Sequence, residues 1–471
     1  MVVDVPLVTI GGGLGSFALV DVLRMAGVPA EKIRVISPHR APDANFLRLC
    51  RASGLTDTDR LRSDSSARID NPWGFPGYAV QQAWQTRRVR PLLQVLSEPV
   101  VSEYFTPSVG QVHSGLRREA DRIQWESMVV DGVVTGIHRQ DGGGYVVTVE
   151  LSTGQVVAYR SRFVHLAPGY GGARLTTIAQ RFREENPTND RLVHAYEPHE
   201  HVYAALAERP GTVLVRGAGI AASRVLQRLA DGRRVSGNDI RVWHLFRRPR
   251  RLDPRQSLFA RYSGGAFVCQ PFNFPKAAFG GQLRDLTLRL SDAERTDEIR
   301  VLGGTSTPYR RIWARQLRRG LAEGWYRPTA GEVTGLVPTE SGIEAYVRQP
   351  EGAAVILRAD FVIDATGLDP DLRRHPFLAT IEDLGVTTNQ LGGLVIGPDF
   401  DVLGADSGAG RLYASGIVAR GGHLAPADSF AGLQLAALAI ADSLARQGLG
   451  TPLRFTRSVV EWWHWMRNRP L

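Results

Sequence analysis

The chain has 471 residues, 43% of them hydrophobic, which is enough for two or three domains with substantial cores. Its 57 Lys and Arg against 47 Asp and Glu give a net charge of +10 at pH 7, yet the charged fraction is an ordinary 22% and the basic residues, nearly all arginine, are scattered. No basic stripe interleaves with aromatics as a nucleic-acid groove needs, and no apolar run approaches the roughly 20 residues of a membrane span. Cys50 and Cys269 are the only cysteines, which excludes a disulfide framework and a cysteine metal cluster. The first strand-like run begins almost at Met1, with no room for a leader, so the expectation is a cytoplasmic protein without nucleic-acid, membrane or metal partners.

Leu7 to Ile10 is a short apolar run that reads as a buried strand, and Phe17 to Ala26 reads as a helix ended by Gly27. Between them lies Gly11-Gly12-Gly13-Leu14-Gly15-Ser16. Glycines there permit a tight turn and close approach of a diphosphate, which sits on the free N–H groups and positive end of the helix. Gly11, Gly13, Gly15 and Ser16 are therefore candidate cofactor ligands. The strand Ile33 to Ile36 ends in Ser37-Pro38-His39-Arg40, where an acidic residue normally holds a ribose; the next carboxylate is Asp43. His39 is a candidate for phosphate or adenine contact, with a solvent-facing His39 and a turn-capping Ser37 as the plain alternative.

Asp57 to Pro107 shows no clear period, and Asn71 to Tyr78 is a loop of proline, glycine and aromatics, open between a site cover and a packed surface loop. Ser114 to Gln124 reads as a helix. The runs Gly132 to Ile137 and Tyr145 to Glu150 read as a small meander, with Val134 a candidate cofactor contact, and they lead to Phe163-Val164-His165-Leu166-Ala167-Pro168-Gly169. Asn186 to Pro210, polar and proline-broken, reads as a crossing.

The pattern then recurs. Val213 to Val215 reads as a strand, and Gly217-Ala218-Gly219-Ile220-Ala221-Ala222 as a second dinucleotide loop, with Gly217, Gly219 and Ala222 in the fingerprint slots. The strand Asp239 to Phe246 ends in Arg247-Arg248, the residue type that a 2′-phosphate requires, so this unit is expected to prefer NADPH. An irregular loop, Tyr262 to Gly281, and helices over Ser291–Val301 and Arg310–Gly324 follow. A second meander (Glu332–Val337, Gly342–Val347) then leads to Phe361-Val362-Ile363-Asp364-Ala365-Thr366-Gly367. Each half runs glycine loop, meander, apolar strand, small turn ending in glycine. The last segment holds Leu412 to Gly416, His423, and Asp428-Ser429-Phe430 opening an apolar helix to about Leu444. Asp428 or Ser429 is the expected N-cap, and the helix start suits the electron-rich edge of a reduced flavin. The tail Glu461 to Arg467, with three tryptophans, is too short for an interface anchor and is expected to pack on the body or on a second subunit of a homo-oligomer.

On both glycine loops and both strand-ending turns, the chain resembles the two-dinucleotide-binding flavoproteins, and most of all the class B flavoprotein monooxygenases of N-hydroxylating and Baeyer–Villiger type. Asp364 to Gly367 is similar to that group's C-terminal turn, and Asn273-Phe274-Pro275 to the asparagine loop near nicotinamide. Ser16 in the third glycine slot and the missing ribose carboxylate depart from the pattern. The resemblance implies an α/β fold of two Rossmann-like three-layer domains, an FAD domain with an inserted NADPH domain, with boundaries expected at 1–190, 191–360 and 361–471. It implies FAD and NADPH as cofactors, and a small-molecule substrate and O2 as partners. The mechanism that the resemblance implies is hydride transfer from NADPH to FAD, then oxygenation of the substrate through a C4a-(hydro)peroxyflavin. Asn273, Lys276, His423 and Asp428 are the candidates for shaping the flavin face, and Thr366, Gly367, Gly416, Ser429 and Phe430 for cofactor contact. A flavin oxidoreductase without oxygen insertion, and a non-catalytic nucleotide-binding protein on a decayed flavin fold, are the alternatives.

Overall fold

A short run that is apolar at every position has no face to offer water, and such runs become the central strands of parallel sheets. Leu7–Ile10, Phe163–Leu166 and Phe361–Asp364 are each buried at every residue. In the computed structural model, which describes residues 1–61, 68–73, 75–97, 105–247, 282–302, 311–375, 377–424 and 427–471, these runs centre two parallel sheets.

The first unit begins with β1 (Val2–Asp4), β2 (Leu7–Ile10), α1 (Leu14–Met25) and β3 (Ile33–Ser37). Helices α2 (Ala44–Ala52), α3 (Gly77–Thr86), α4 (Arg90–Ser97), α5 (Val109–Arg122) and α6 (Trp125–Met128) follow, then β4 (Val129–Arg139), β5 (Tyr145–Leu151), β6 (Val156–Ser161) and β7 (Phe163–Leu166). Helix α7 (Thr177–Glu185) leads to β8 (Leu192–His194), α8 (Glu200–Glu208), β9 (Gly211–Arg216), α9 (Ile220–Ser236) and β10 (Ile240–Phe246). Then come α10 (Gln282–Arg289), α11 (Asp292–Leu302), α12 (Arg311–Glu323) and β11 (Tyr326–Ala330). The second meander is β12 (Glu332–Pro338), β13 (Ile343–Arg348) and β14 (Ala354–Ala359), and β15 (Phe361–Asp364) follows it. The chain ends with α13 (Phe377–Glu382), β16 (Arg411–Ala414), α14 (Phe430–Arg446) and α15 (Phe455–Met466).

The first sheet has the order β1-β6-β5-β4-β3-β2-β7-β16, and the second β11-β10-β9-β15-β8, with β12-β13-β14 apart. Both conform to the expected α/β plan of two Rossmann-type units. Three local expectations need correction. Strand β15 pairs with β9 and β8, so the second sheet keeps the chain through Asp364, beyond the expected boundary at 360. The stretch read as a crossing supplies β8 and α8 to that same unit. Its strand is three residues long and ends in a fully buried histidine, His194, which hides the apolar pattern. The region without a period holds α3 and α4, whose large apolar side chains face outward and so give no buried stripe.

Helix α1 is buried from Ser16 to Met25. The tail helix α15 closes this unit from outside. Trp465 donates Nε1–H to the Asp70 carbonyl at 3.0 Å, and Trp73 donates to Ser458 at 2.7 Å. Phe75 meets the Trp462 and Trp465 rings edge-on at 6.1 and 6.2 Å. The proline-aromatic loop is thus a seat for the tail, which packs on the body.

Under that seat lies a buried polar cluster. Arg122 lies 2.5 Å from Glu119 and 3.6 Å from Asp21 of α1, while Arg68 pairs with Asp70. Burial first, then the neighbouring Glu119 carboxyl, hold Asp21 well above the carboxylate value of 3.8. An acid whose pKa is raised on folding stabilises fully below its unfolded value, and that contribution is lost as pH rises above 3.8 toward the folded value. Asp21→Asn keeps the neutral hydrogen-bonding group and removes this loss. Its denaturant midpoint, measured against the parent, is expected to gain steadily from acid to neutral pH; a gap that closes with rising pH contradicts the assignment.

Candidate dinucleotide-binding sites

The first glycine loop leaves β2 and turns back on the end of its neighbour, β7. Gly11 sits at φ +94°, a region that favours glycine, and a Cβ there would collide with the Ala167 carbonyl. The Gly11 N–H donates to the Ile36 carbonyl at 2.9 Å, and the Ala167 N–H to the Ile10 carbonyl at 2.9 Å. Gly13 is the N-cap of α1, with no side-chain cap and nothing within 4 Å of a notional Cβ. The helix start is open, as an anion site requires. Gly15 provides the close packing, its notional Cβ falling 3.1 Å from the Ala167 Cβ and 3.2 Å from the Ser415 Oγ.

Ser16, the departure from the glycine pattern, points into the protein. Its hydroxyl is 2.7 Å from that of Thr9, which is 2.8 Å from His165 Nδ1, and His165 Nε2 is 2.9 Å from the Ser415 hydroxyl. All four side chains are buried. Burial pulls the His165 imidazole down to about 3, so it is neutral and can serve as donor on one nitrogen and acceptor on the other. The chain ties β2, α1, β7 and the turn after β16 together around the loop.

The second loop repeats these bonds. Gly217 sits at φ +124°, its notional Cβ colliding with the Ala365 carbonyl. Its N–H donates to the Leu245 carbonyl at 2.9 Å, and the Ala365 N–H to the Arg216 carbonyl at 2.7 Å. Gly219 is the uncapped N-cap of α9, again with nothing within 4 Å of a notional Cβ, and Ala222 is buried beneath the helix start. A buried histidine also braces this loop. His244 Nε2 donates to the Gly217 carbonyl at 2.6 Å, and its Nδ1 is 2.7 Å from the Tyr326 hydroxyl, which donates to it. Thr366 and Gly367 lie against the loop. The Thr366 N–H donates to Asp364, which Arg216 pairs at 3.2 Å, and Gly367 sits at φ +105° facing open space. Arg247 is exposed just past β10, where the 2′-phosphate contact was expected.

The remaining candidates divide. Gly416 and Ser429 join the first loop: Leu433 of α14 approaches the notional Cβ positions of Gly15 and Gly416 at 3.5 and 3.4 Å, and Ser429 caps α14 by accepting the Gly432 N–H at 3.1 Å. Phe430 packs on Phe46 of α2 at 5.7 Å, and Asp428 accepts a hydrogen bond from Tyr170, which follows β7. Burial and the Asp428 charge push the Tyr170 phenol upward, and burial with nearby Cys50 and Asp428 raises that of Tyr196, from the second unit, to about 12. Val134 and His423 fall elsewhere, while the His39 carbonyl lies 3.4 Å from a notional Cβ at Gly12 of the first loop. Val134 is buried at a bulge in the antiparallel part of β4, beyond the stretch of β4 that pairs with β3. His39 is exposed, its N–H and carbonyl both bonded to the Ser37 hydroxyl in a closed turn. His423 is buried against the Phe400 ring at 4.8 Å. Asn273, Lys276 and Arg248 lie outside the described residues. Asp43, the next carboxylate in sequence after β3, is held by His113 at 2.5 Å, and Asp131 of β4 stands in register with Ser37 at the strand's end.

Sequence reasoning missed His165, His244, Tyr170 and Tyr196. A histidine inside a strand of otherwise apolar residues was the available signal for the first two.

The units meet along several bonds. Ser53 donates to the Ala195 carbonyl at 3.2 Å, and Arg224 of α9 donates to the Gly54 carbonyl at 2.7 Å and Asp59 at 3.1 Å. The two crossings also pair with each other: the Arg174 N–H donates to the Gly367 carbonyl at 3.1 Å and the Asp369 N–H to the Gly172 carbonyl at 2.8 Å.

Burial pulls His244 from 6.5 to about 4. A base whose pKa falls on folding stabilises above its unfolded value, and that contribution is lost as pH drops from 6.5 toward 4. His244→Phe is expected to cost about 1–3 kcal/mol at neutral pH, because the Gly217 carbonyl loses the His244 donor and the bond to the Tyr326 hydroxyl is lost with it. It is also expected to flatten the acid limb of the stability curve, as read by denaturant titration.

No protein-family profile and no curated protein sequence matches the chain. Solved structures do. The FAD-bound cadaverine monooxygenase of desferrioxamine biosynthesis from Erwinia amylovora matches at TM-score 0.67 and 14% identity, over 95% of this chain and 95% of that one. The ornithine N-hydroxylase from Kutzneria sp. 744, with reduced FAD, NADP+ and L-ornithine, matches at TM-score 0.66 and 14% identity, over 94% and 99%. The bacillithiol disulfide reductase from Bacillus cereus matches at TM-score 0.56 and 16% identity, over 94% and 99%. The chain carries the two-unit fold of the flavin-dependent N-hydroxylating monooxygenases along essentially its whole length.

Proposed function

We propose that the chain is an FAD-dependent, NADPH-using monooxygenase that N-hydroxylates a small amine. The observation that carries the reading is the repeated loop: two glycine turns, each closed on the end of a neighbouring parallel strand, and each opening an uncapped helix. Those helix starts fit two diphosphates, since Gly13 and Gly219 are uncapped and nothing lies within 4 Å of a notional Cβ at either. Gly11, Gly13 and Gly15 with the start of α1 would hold the FAD diphosphate. Gly217, Gly219 and the start of α9 would hold that of NADPH, with Arg247 on the 2′-phosphate. Asp43, the first carboxylate after β3 in sequence, is taken by His113, and the carboxylate beside the end of β3 is Asp131 of β4, in register with Ser37.

Bound FAD supplies hydride acceptance and the reaction with oxygen. The chain's part is binding, orientation and exclusion of water. Ser429 commits its hydroxyl to the Gly432 N–H, which fixes the head of α14, and the positive end of that helix would suit the electron-rich edge of a bound flavin. Asp428, which accepts a hydrogen bond from Tyr170 and lies near Tyr196, is the residue we assign to the substrate nitrogen. The solved neighbours that act on ornithine and cadaverine supply the amine class. Disulfide reduction is not favoured: Cys50 is a buried thiol raised to about 12 by burial, and Cys269 stands far from it in sequence.

The first test is an absorbance spectrum. Flavin bands that bleach under anaerobic NADPH, with oxygen uptake that depends on added ornithine or cadaverine, are the expected result. Absence of a flavin band after incubation with FAD removes the proposal, and bleaching without oxygenated product leaves only the oxidoreductase. Arg247→Gln is expected to raise KM for NADPH about tenfold while leaving NADH unchanged, as the loss of one charge-assisted hydrogen bond requires.

A further inference from the structure

Helices α3 and α4 form a hairpin that turns its large apolar side chains outward. Trp84 is 86% exposed, Leu96 76%, Val89 69% and Leu93 57%. Val89, Leu93 and Leu96 recur at helical spacing, so they line one face, while Tyr78, Ala79 and Pro91 face inward. Arg87, Arg88 and Arg90 crowd the connecting turn, exposed and without an ion pair among the described residues. From Gly77 to Ser97 there is no Asp or Glu. A contiguous apolar ridge on a water-facing element marks a contact surface, and this one is ringed by unneutralised positive charge.

We propose that the α3–α4 hairpin docks on an anionic lipid surface, with Trp84 and the α4 ridge in the headgroup boundary and the three guanidiniums on lipid phosphates. Tryptophan and arginine are the side chains that such a boundary accepts. Charge decides against a second copy of the chain on the same face. A two-fold contact would set each arginine cluster near its own image, with no carboxylate in either hairpin to pair with it. The sequence-based expectation of no membrane partner rested on the lack of a spanning run. No helix among the described residues is long and apolar enough to cross a membrane, but an element lying in the interface needs no span.

The test is co-sedimentation of the full-length protein with vesicles of equal parts phosphatidylcholine and phosphatidylglycerol, against phosphatidylcholine alone. Binding to the mixed vesicles only, weakening with added salt, is expected. Combined Arg87→Gln, Arg88→Gln and Arg90→Gln is expected to lower the partition on the order of 100-fold, the product of three contacts each worth roughly fivefold. Trp84→Ala is expected to lower it about tenfold, as loss of one buried aromatic implies. An unchanged thermal midpoint in each variant ties the loss to the surface. No binding, equal binding to both vesicle types, or variants that bind like the parent overturns the proposal. So does a concentration-dependent dimer that the same arginine changes dissolve, which assigns the face to a second copy.

Discussion

The structure depends on one repeated contact, the close approach of a glycine to the carbonyl at the end of a neighbouring strand. At Gly11 and Gly217 the backbone lies so near Ala167 and Ala365 that no side chain fits, and the positive φ at both glycines aims the next turn at the head of a helix. Everything that makes the crevices follows from this. Strands β2 and β9 are fixed at the centre of their sheets, α1 and α9 start at a set point, and the turns after β7 and β15 become the far walls. The buried histidines act on the same contact from opposite sides. His165 ties the first loop's serine to Ser415, and His244 holds the Gly217 carbonyl itself.

The repetition reaches finer detail than the loops. In both meanders the first strand has a register shift at a Val-Thr-Gly sequence, Val134 to Gly136 and Val333 to Gly335. In both, the central threonine hydroxyl donates to a carbonyl on the partner strand. A bulge re-aims its strand, so the first strand of each meander bends at the same place. The halves diverge where they meet different neighbours: β4 continues from the first sheet into its meander, whereas β12 to β14 form a sheet of their own.

The sequence made both loops, both meanders and the strand-ending turns legible, because glycine spacing and apolar runs are local signals. Ser16 was legible only as a defect, since the partner that explains it, Thr9 with His165 behind it, is assembled by the fold. Strand β8 was hidden by its shortness and by the buried His194 at its end. Helices α3 and α4 were hidden for the opposite reason: their apolar residues are on the outside, and a pattern sought as a core stripe does not register there. Of the candidates, those defined by the backbone geometry of the loops came together and His39 lies beside Gly12, while His423 packs on Phe400.

The two crossings that join the units lie side by side, bonded at Arg174 to Gly367 and Asp369 to Gly172. The second unit therefore leaves and re-enters the first at a single point. Its size places no demand on closure of the first sheet, because the ends of the insert already meet. The arrangement is modular in a strict sense: the first unit sees a short hairpin-like junction whatever stands beyond it. On the other side the second unit is clasped by the Arg224 and Ser53 contacts and by Thr287, whose hydroxyl donates to the His423 carbonyl at 2.7 Å.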